Sequence, residues 1–113
     1  MEISLYFQTM ADDKCKVSRE FESKNAFHKL MKEQDLVDVT LACDDDKQIK
    51  AHKVVLGAGS KFFANIFRKN PSQHPLVYLY GIDWSDLDAI LQFLYLGEAT
   101  VKEKTSKVVF FYI

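Results

Sequence analysis

Cys15, Cys43, His28, His52 and His74 are the side chains here best suited to metal ligation or nucleophilic attack. A structural zinc site takes its ligands in close pairs, roughly two to four residues apart, so that one turn offers both to the ion. No two of these five side chains keep that spacing, so the sequence predicts no metal centre. A thiol nucleophile needs a base within hydrogen-bond reach and a further group to orient that base. Cys43 and His52 are the one pair imaginable across a local hairpin. Nothing nearby supplies the orienting group or an oxyanion site, so Cys43 reads as a small buried hydrophobe. Gly57-Ala58-Gly59-Ser60-Lys61 has the superficial look of a phosphate cradle. A P-loop, however, requires a longer span between its glycines, a preceding strand, and Gly-Lys followed by Ser or Thr. Here helical residues precede the glycines, which reads as close packing of helix on helix at Gly57 and Gly59. Asp38 and Lys53 stand at the ends of two apolar segments, where an inward charge is costly unless paired and an outward one is unremarkable.

These candidates are held by residues 37–63. Val37, Val39, Leu41 and Cys43 alternate with Asp38, Thr40 and Ala42, the period of two that pleating imposes on a half-buried strand. Asp44 to Lys47 supply a polar turn, and residues 48–52 read as the returning strand, with Ile49 and Ala51 on one face. A small-residue helix through Val54 to Ala58 follows. Ser60 then offers an N-cap to a second helix bearing Phe62, Phe63, Ile66 and Phe67, which Asn70 and Pro71 stop.

Before this unit, Ser23 is placed to cap a helix carrying Phe27, Leu30 and Met31 on one stripe, with Lys24, Lys29, Lys32 and Glu33 outward. That stripe suits either a core-covering helix or a subunit contact. Val17 to Phe21 fit a short extended segment that pairs elsewhere. After the unit, Pro75 leads into a β-rich run, Leu76 to Tyr80, ended by Gly81. Ser85 and Asp88 are read as the capping pair of a helix with Leu87, Ile90, Leu91, Leu94 and Tyr95 at helical spacing, closed by Gly97. Residues 98–101 read as another short strand. The last nine residues, TSKVVFFYI, are apolar and β-prone, and predict an added edge strand.

The chain has 113 residues, 48% of them hydrophobic and 27% charged, which suits one globular domain with a sizeable core. A formal charge of -1 and a pI near 6.3 give no reason to expect direct contact with nucleic acid. Two dissimilar thiols make no disulfide framework, and no stretch has the length of a bilayer span or the form of a secretory signal. An intracellular protein is expected. Residues 2–10, EISLYFQTM, look like an altered protease site of the kind used to remove expression tags, which sets residues 1–10 outside the fold and makes 11–22 a lead-in.

In combination, DVTL followed by a turn, then KAHKVVL, GSKFF and LDAILQFLYLGE, resemble the BTB/POZ domain family from about Phe27 to Val101. The resemblance implies an α+β fold, a helical cluster flanked by a short β-sheet, in a domain taken as 23–104. It implies no catalysis and no cofactor, but dimerisation and recruitment of other proteins. Carried onto this sequence, Phe27, Leu30 and Met31 belong to a principal dimer-forming helix, with Leu36, Val37 and Val17 to Phe21 beside it. Asp38 and Lys53 match a charged pair lining a groove at the dimer interface, and His52 matches a structural motif histidine. The stretch NPSQHPLV is similar to the transcription-regulator subgroup that includes arthropod chromatin factors. This implies homodimerisation and co-regulator recruitment in the nucleus. The alternative within the family is a cytoplasmic adaptor bound to a cullin. Such adaptors often carry an apolar-x-Glu element in the loop from Phe67 to Pro75, which here contains no Glu. The family fold usually continues into further helices beyond Glu98, and residues 105–113 read instead as an atypical apolar tail, with those helices missing or replaced.

Overall fold

The computed structural model describes residues 14–113 together with the backbone of residues 4–7. At its centre is a three-stranded sheet in the order β4-β3-β5, where β3 is Val39–Cys43, β4 is Gln48–Ala51 and β5 is Leu76–Leu79. β3 and β4 form the expected antiparallel hairpin, with Val39 opposite Ala51 and Ala42 opposite Gln48. Asp46 takes the left-handed conformation in the turn, φ 59, which a short polar side chain tolerates better than most. β5 lies parallel to β3, Thr40 beside Leu76 and Cys43 beside Leu79, an arrangement that needs a crossover. Two helices, α2 (Lys53–Gly59) and α3 (Lys61–Lys69), provide it. Val39, Leu41, Cys43, Ala51, Val77 and Leu79 thereby share one buried core with the helices.

The caps explain where these helices begin and end. Ser60 is extended, and its hydroxyl accepts the Phe63 N–H to start α3, as its position predicts. α4 (Trp84–Leu96) begins two residues earlier than the expected Ser85 and Asp88 pair. Asp83 accepts from the Asp86 N–H and Asp86 accepts from the Asp83 N–H, a reciprocal box one carboxylate earlier in the same acidic stretch. Gly97, φ 81, ends α4 as the sequence indicates. α1 (Ser23–Lys32) has Glu22, not Ser23, at its N-cap. It ends on Gln34 at φ 54, with the Gln34 N–H on the Met31 carbonyl at 3.1 Å and the Asp35 N–H on the Leu30 carbonyl at 2.9 Å. This is a Schellman turn with glutamine where glycine is usual.

The C-terminal end of the chain differs from expectation. Residues 98–101 form no strand, and Glu103–Tyr112 form helix α5, so the β-prone tail is helical. β propensity reports how a side chain fits its neighbours more than what the backbone prefers. Here Val109 and Tyr112 find burial at helical spacing against α3 and α4. Tyr112 packs edge-on to Phe62 at 4.8 Å and stacks with Phe63 at 6.0 Å. At the other end, β2 (Cys15–Ser18) pairs antiparallel with β1 (Ser4–Phe7), drawing part of the supposed tag remnant and lead-in into a small separate sheet. Among the described residues, β2 packs on β1 and on no other strand or helix to a comparable extent. The rest of the assignment to residues 1–3 and 8–13 lies outside the described residues.

Candidate interaction surface

His52 closes the hairpin on the side toward α4 and is 8% exposed. Its Nε2 lies 2.7 Å from the Asp35 carbonyl, which can only accept, so the proton resides on Nε2 and Nδ1 is left as an acceptor. The Tyr95 hydroxyl, 2.7 Å away, donates to Nδ1 and also accepts the His52 backbone N–H at 2.9 Å. Burial pushes the Tyr95 phenol up to about 12, keeping it a donor. One imidazole thus ties the end of α1, the end of β4 and the last turns of α4. Across the hairpin, Cys43 stands five residues further along β3 than the position facing His52, roughly 16 Å at strand rise, far beyond hydrogen-bond reach. The Cys43 thiol donates instead to Asp45 at 2.9 Å, and burial with that bond raises it to about 11. His74 is exposed and bonds the Thr40 hydroxyl at 2.8 Å. Among the described residues no cluster of three or more His, Cys, Asp or Glu is placed to hold a metal ion.

Asp38 and Lys53 come together, but not as two side-chain charges. The Asp38 carboxylate accepts the backbone N–H of Lys53 at 2.7 Å, satisfying a donor at the first turn of α2. The Lys53 ammonium reaches the other way, to the carbonyl of Ser72 at 3.3 Å. The expected charged pair is therefore a cap plus a cation held against a loop, because the α2 N-terminus lies nearer the carboxylate than the ammonium does. Gly57 approaches the α3 backbone, where an added Cβ would lie 3.7 Å from the Ala64 Cα, an ordinary contact. At Gly59 the same atom would come within 2.9 Å of the Leu94 Cδ2, so this glycine sits against the tip of a flexible side chain of α4.

The first helix divides its apolar stripe. Met31 is 6% exposed and joins the core, so it serves this chain's own packing and offers little to a partner. Leu30 and Val37 are half-buried, Phe27 is 41% exposed and Leu36 is 75% exposed. Beside Phe27 stands Val54 of α2, 76% exposed, within the apolar helical turn read from the sequence. Phe27, Val54, Val55, Ala58, Leu94 and Tyr95 line a hollow of about 360 Å³. A second depression continues from Val54 and Ala58 to Phe67 and Arg68. The result is a continuous apolar face across α1, α2 and the edge of α3.

Two further structural contacts carry only a weak signal in sequence. The Gln34 amide meets the outward backbone of β4, its Nε2 on the Lys50 carbonyl at 2.8 Å and its Oε1 accepting the Lys50 N–H at 3.0 Å. A side chain thus occupies part of an open sheet edge. The acidic turn is equally tied down. Asp44 accepts from the Tyr78 hydroxyl and the Gly81 N–H, and Asp45 accepts from the Trp84 N–H at the start of α4. Carboxylates three in a row mark a turn in the sequence, and only the fold shows what they hold.

The BTB/POZ domain profile matches residues 27–111. The chain belongs to the BTB/POZ family. That match spans α1 to α5 and so includes most of the helix formed by the supposed tail. This BTB/POZ domain is 46% identical over 77 residues to protein bric-a-brac 2 of Drosophila melanogaster, covering 68% of this chain and 7% of that relative. It is 41% identical over 81 residues to the Broad-complex core protein isoforms of the same species, covering 72% of this chain and 11% of the relative. The chain thus spans a small part of these relatives' length. Among solved structures, the BTB domain of zebrafish PATZ1 superposes with a TM-score of 0.62 at 22% identity, covering 81% of this chain and 80% of that one. The α+β fold is that of the family, which consists of protein-interaction domains without catalytic activity. Among the described residues no helix is long and apolar enough to cross a membrane.

Proposed function

We propose that this BTB/POZ domain forms a homodimer through α1 and α2, and that the dimer recruits co-regulator proteins for a transcription or chromatin regulator in the nucleus. The observation that carries this reading is the exposed apolar face of Phe27, Val54 and Ala58. Contiguous apolar surface of this kind is characteristic of subunit contacts. Each large side chain fully removed from water contributes about 1.5–3 kcal/mol, and a two-fold axis counts every such residue twice. The β1–β2 arm supports the same reading, since a strand pair with little packing on its own domain is available to a second copy. The similarity to bric-a-brac and Broad-complex proteins, together with NPSQHPLV, supports placement in a transcription regulator. The groove that the family resemblance places at Asp38 and Lys53 is the proposed recruitment site.

Sedimentation equilibrium at micromolar concentration tests the assembly. The unaltered chain is expected as a dimer, and Phe27→Asp or Val54→Asp as a monomer with an unchanged circular dichroism spectrum. Val54 is mostly exposed, so its replacement spares the core. A wild-type monomer under these conditions refutes the dimer. Co-elution with the N-terminal region of a cullin would instead assign the domain to adaptor function.

A further inference from the structure

We propose that Ser72 is a phosphorylation site whose phosphate is captured by Lys53. Ser72 lies in the loop between α3 and β5, in the run Asn70-Pro71-Ser72-Gln73-His74-Pro75, where residues 71–74 are all exposed. Asn70 is already extended, φ −118 and ψ 102, and two prolines keep the loop from joining either neighbouring element. The Asn70 side chain accepts the Ser72 N–H at 3.1 Å, which fixes the local turn. Arg68 and Lys69 precede the acceptor at the end of α3, giving the upstream basic character that many serine kinases select.

The second observation concerns Lys53. Its ammonium has no carboxylate partner among the described residues, since Asp38 is used on the backbone N–H, and its one hydrogen bond is to the Ser72 carbonyl at 3.3 Å. A cation resting on the neutral oxygen of a residue whose hydroxyl can be phosphorylated is placed for the stronger, charge-assisted contact. In the transfer, the bond from the γ-phosphorus of ATP to the β,γ-bridging oxygen breaks and the Ser72 Oγ–P bond forms. The hydroxyl proton passes to the kinase's carboxylate base, and ADP leaves. The product carries about −1.5 to −2 charges beside Lys53, holding the α3–β5 loop against the start of α2. The capture does not need a second copy, because every group it uses belongs to one chain, although Lys53 also lies at the proposed recruitment site.

The test uses the whole chain, Mg-ATP and a kinase that prefers upstream basic residues. Peptide mass analysis should locate phosphate on Ser72 and lose it in Ser72→Ala; no incorporation at Ser72 overturns the site. A phosphorus-31 titration then compares the phosphorylated chain with a phosphorylated peptide of residues 68–74. The second phosphate ionisation should lie about half a pH unit lower in the folded chain, and Lys53→Met should restore the peptide value. Lys53→Met keeps the backbone N–H that Asp38 caps, so the start of α2 is undisturbed. An ionisation equal to that of the peptide, or one unmoved by Lys53→Met, shows an exposed serine only and overturns the capture.

Discussion

Replacing Tyr95 with phenylalanine removes one oxygen and leaves the ring, but that oxygen both donates to His52 Nδ1 at 2.7 Å and accepts the His52 N–H at 2.9 Å. His52 is 8% exposed and its Nε2–H is committed to the Asp35 carbonyl, so the imidazole cannot turn to find another donor without breaking that bond. Two polar groups of His52 are then left without partners in a site closed to solvent. Each unsatisfied buried group costs about 1–3 kcal/mol, so the substitution is expected to destabilise the fold by about 3 kcal/mol. With an unfolding entropy of about 2.1 cal/mol/K per residue, that corresponds to a fall in Tm of roughly 12 °C. Tyr112→Phe is the control: the residue is 6% exposed, yet its hydroxyl makes no hydrogen bond among the described residues. It should shift Tm by less than about 2 °C, within the usual range of a change that touches no buried partner. Thermal melts by circular dichroism, run at equal protein concentration because association raises apparent stability, make the comparison. If Tyr95→Phe behaves like Tyr112→Phe, the three-way tie through His52 does not hold the helices to the hairpin.

Two further outcomes follow from the same fold. At pH 8 a thiol reagent should label one cysteine per native chain, the exposed Cys15, and reach Cys43 only after denaturation, since Cys43 is buried and its thiol lies near 11. Because ionisation of Cys43 is raised in the folded chain, its contribution to stability is complete below the usual thiol range. It is lost as pH rises from there toward 11, so labelling of two thiols at pH 8 would contradict its placement. Gly97→Ala should cost about 1–2 kcal/mol, because φ 81 is a left-handed conformation and no neighbour within 4 Å adds a clash. The measurement is a urea midpoint at unchanged m value.

Much of the framework is legible in local chemistry. Alternation over residues 37–43, the acidic turn, Ser60 as a cap, Pro71 as a stop and Gly97 as a terminus each depend on nearest neighbours along the chain, and each appears in the fold. The family resemblance rests on the same segments. Where two candidates compete locally, as with Ser85 and Asp83 at the start of α4, the choice depends on which carboxylate can close a reciprocal box. The tail is the larger miss. Val108 to Ile113 favour a strand by composition, but α5 forms because Val109 and Tyr112 meet Phe62, Phe63 and α4 at a helical interval, a distant partner that no local window contains.

The candidate surface divides along the same line. By itself the sequence determined that Phe27 and Leu30 share one helical stripe and that Asp38, His52 and Lys53 lie at the ends of regular elements, because helical pitch and pleating set those positions. Only the tertiary structure decided what each one faces. Packing against α4 drew Met31 inward and left Val54 outward, a difference in direction that an apolar stripe cannot express. The close approach of β3 to the start of α2 placed the Asp38 carboxylate on a backbone N–H and freed the Lys53 ammonium for Ser72. Charge type is a property of the residue, whereas pairing is a matter of distance, and distance between segments is what folding sets.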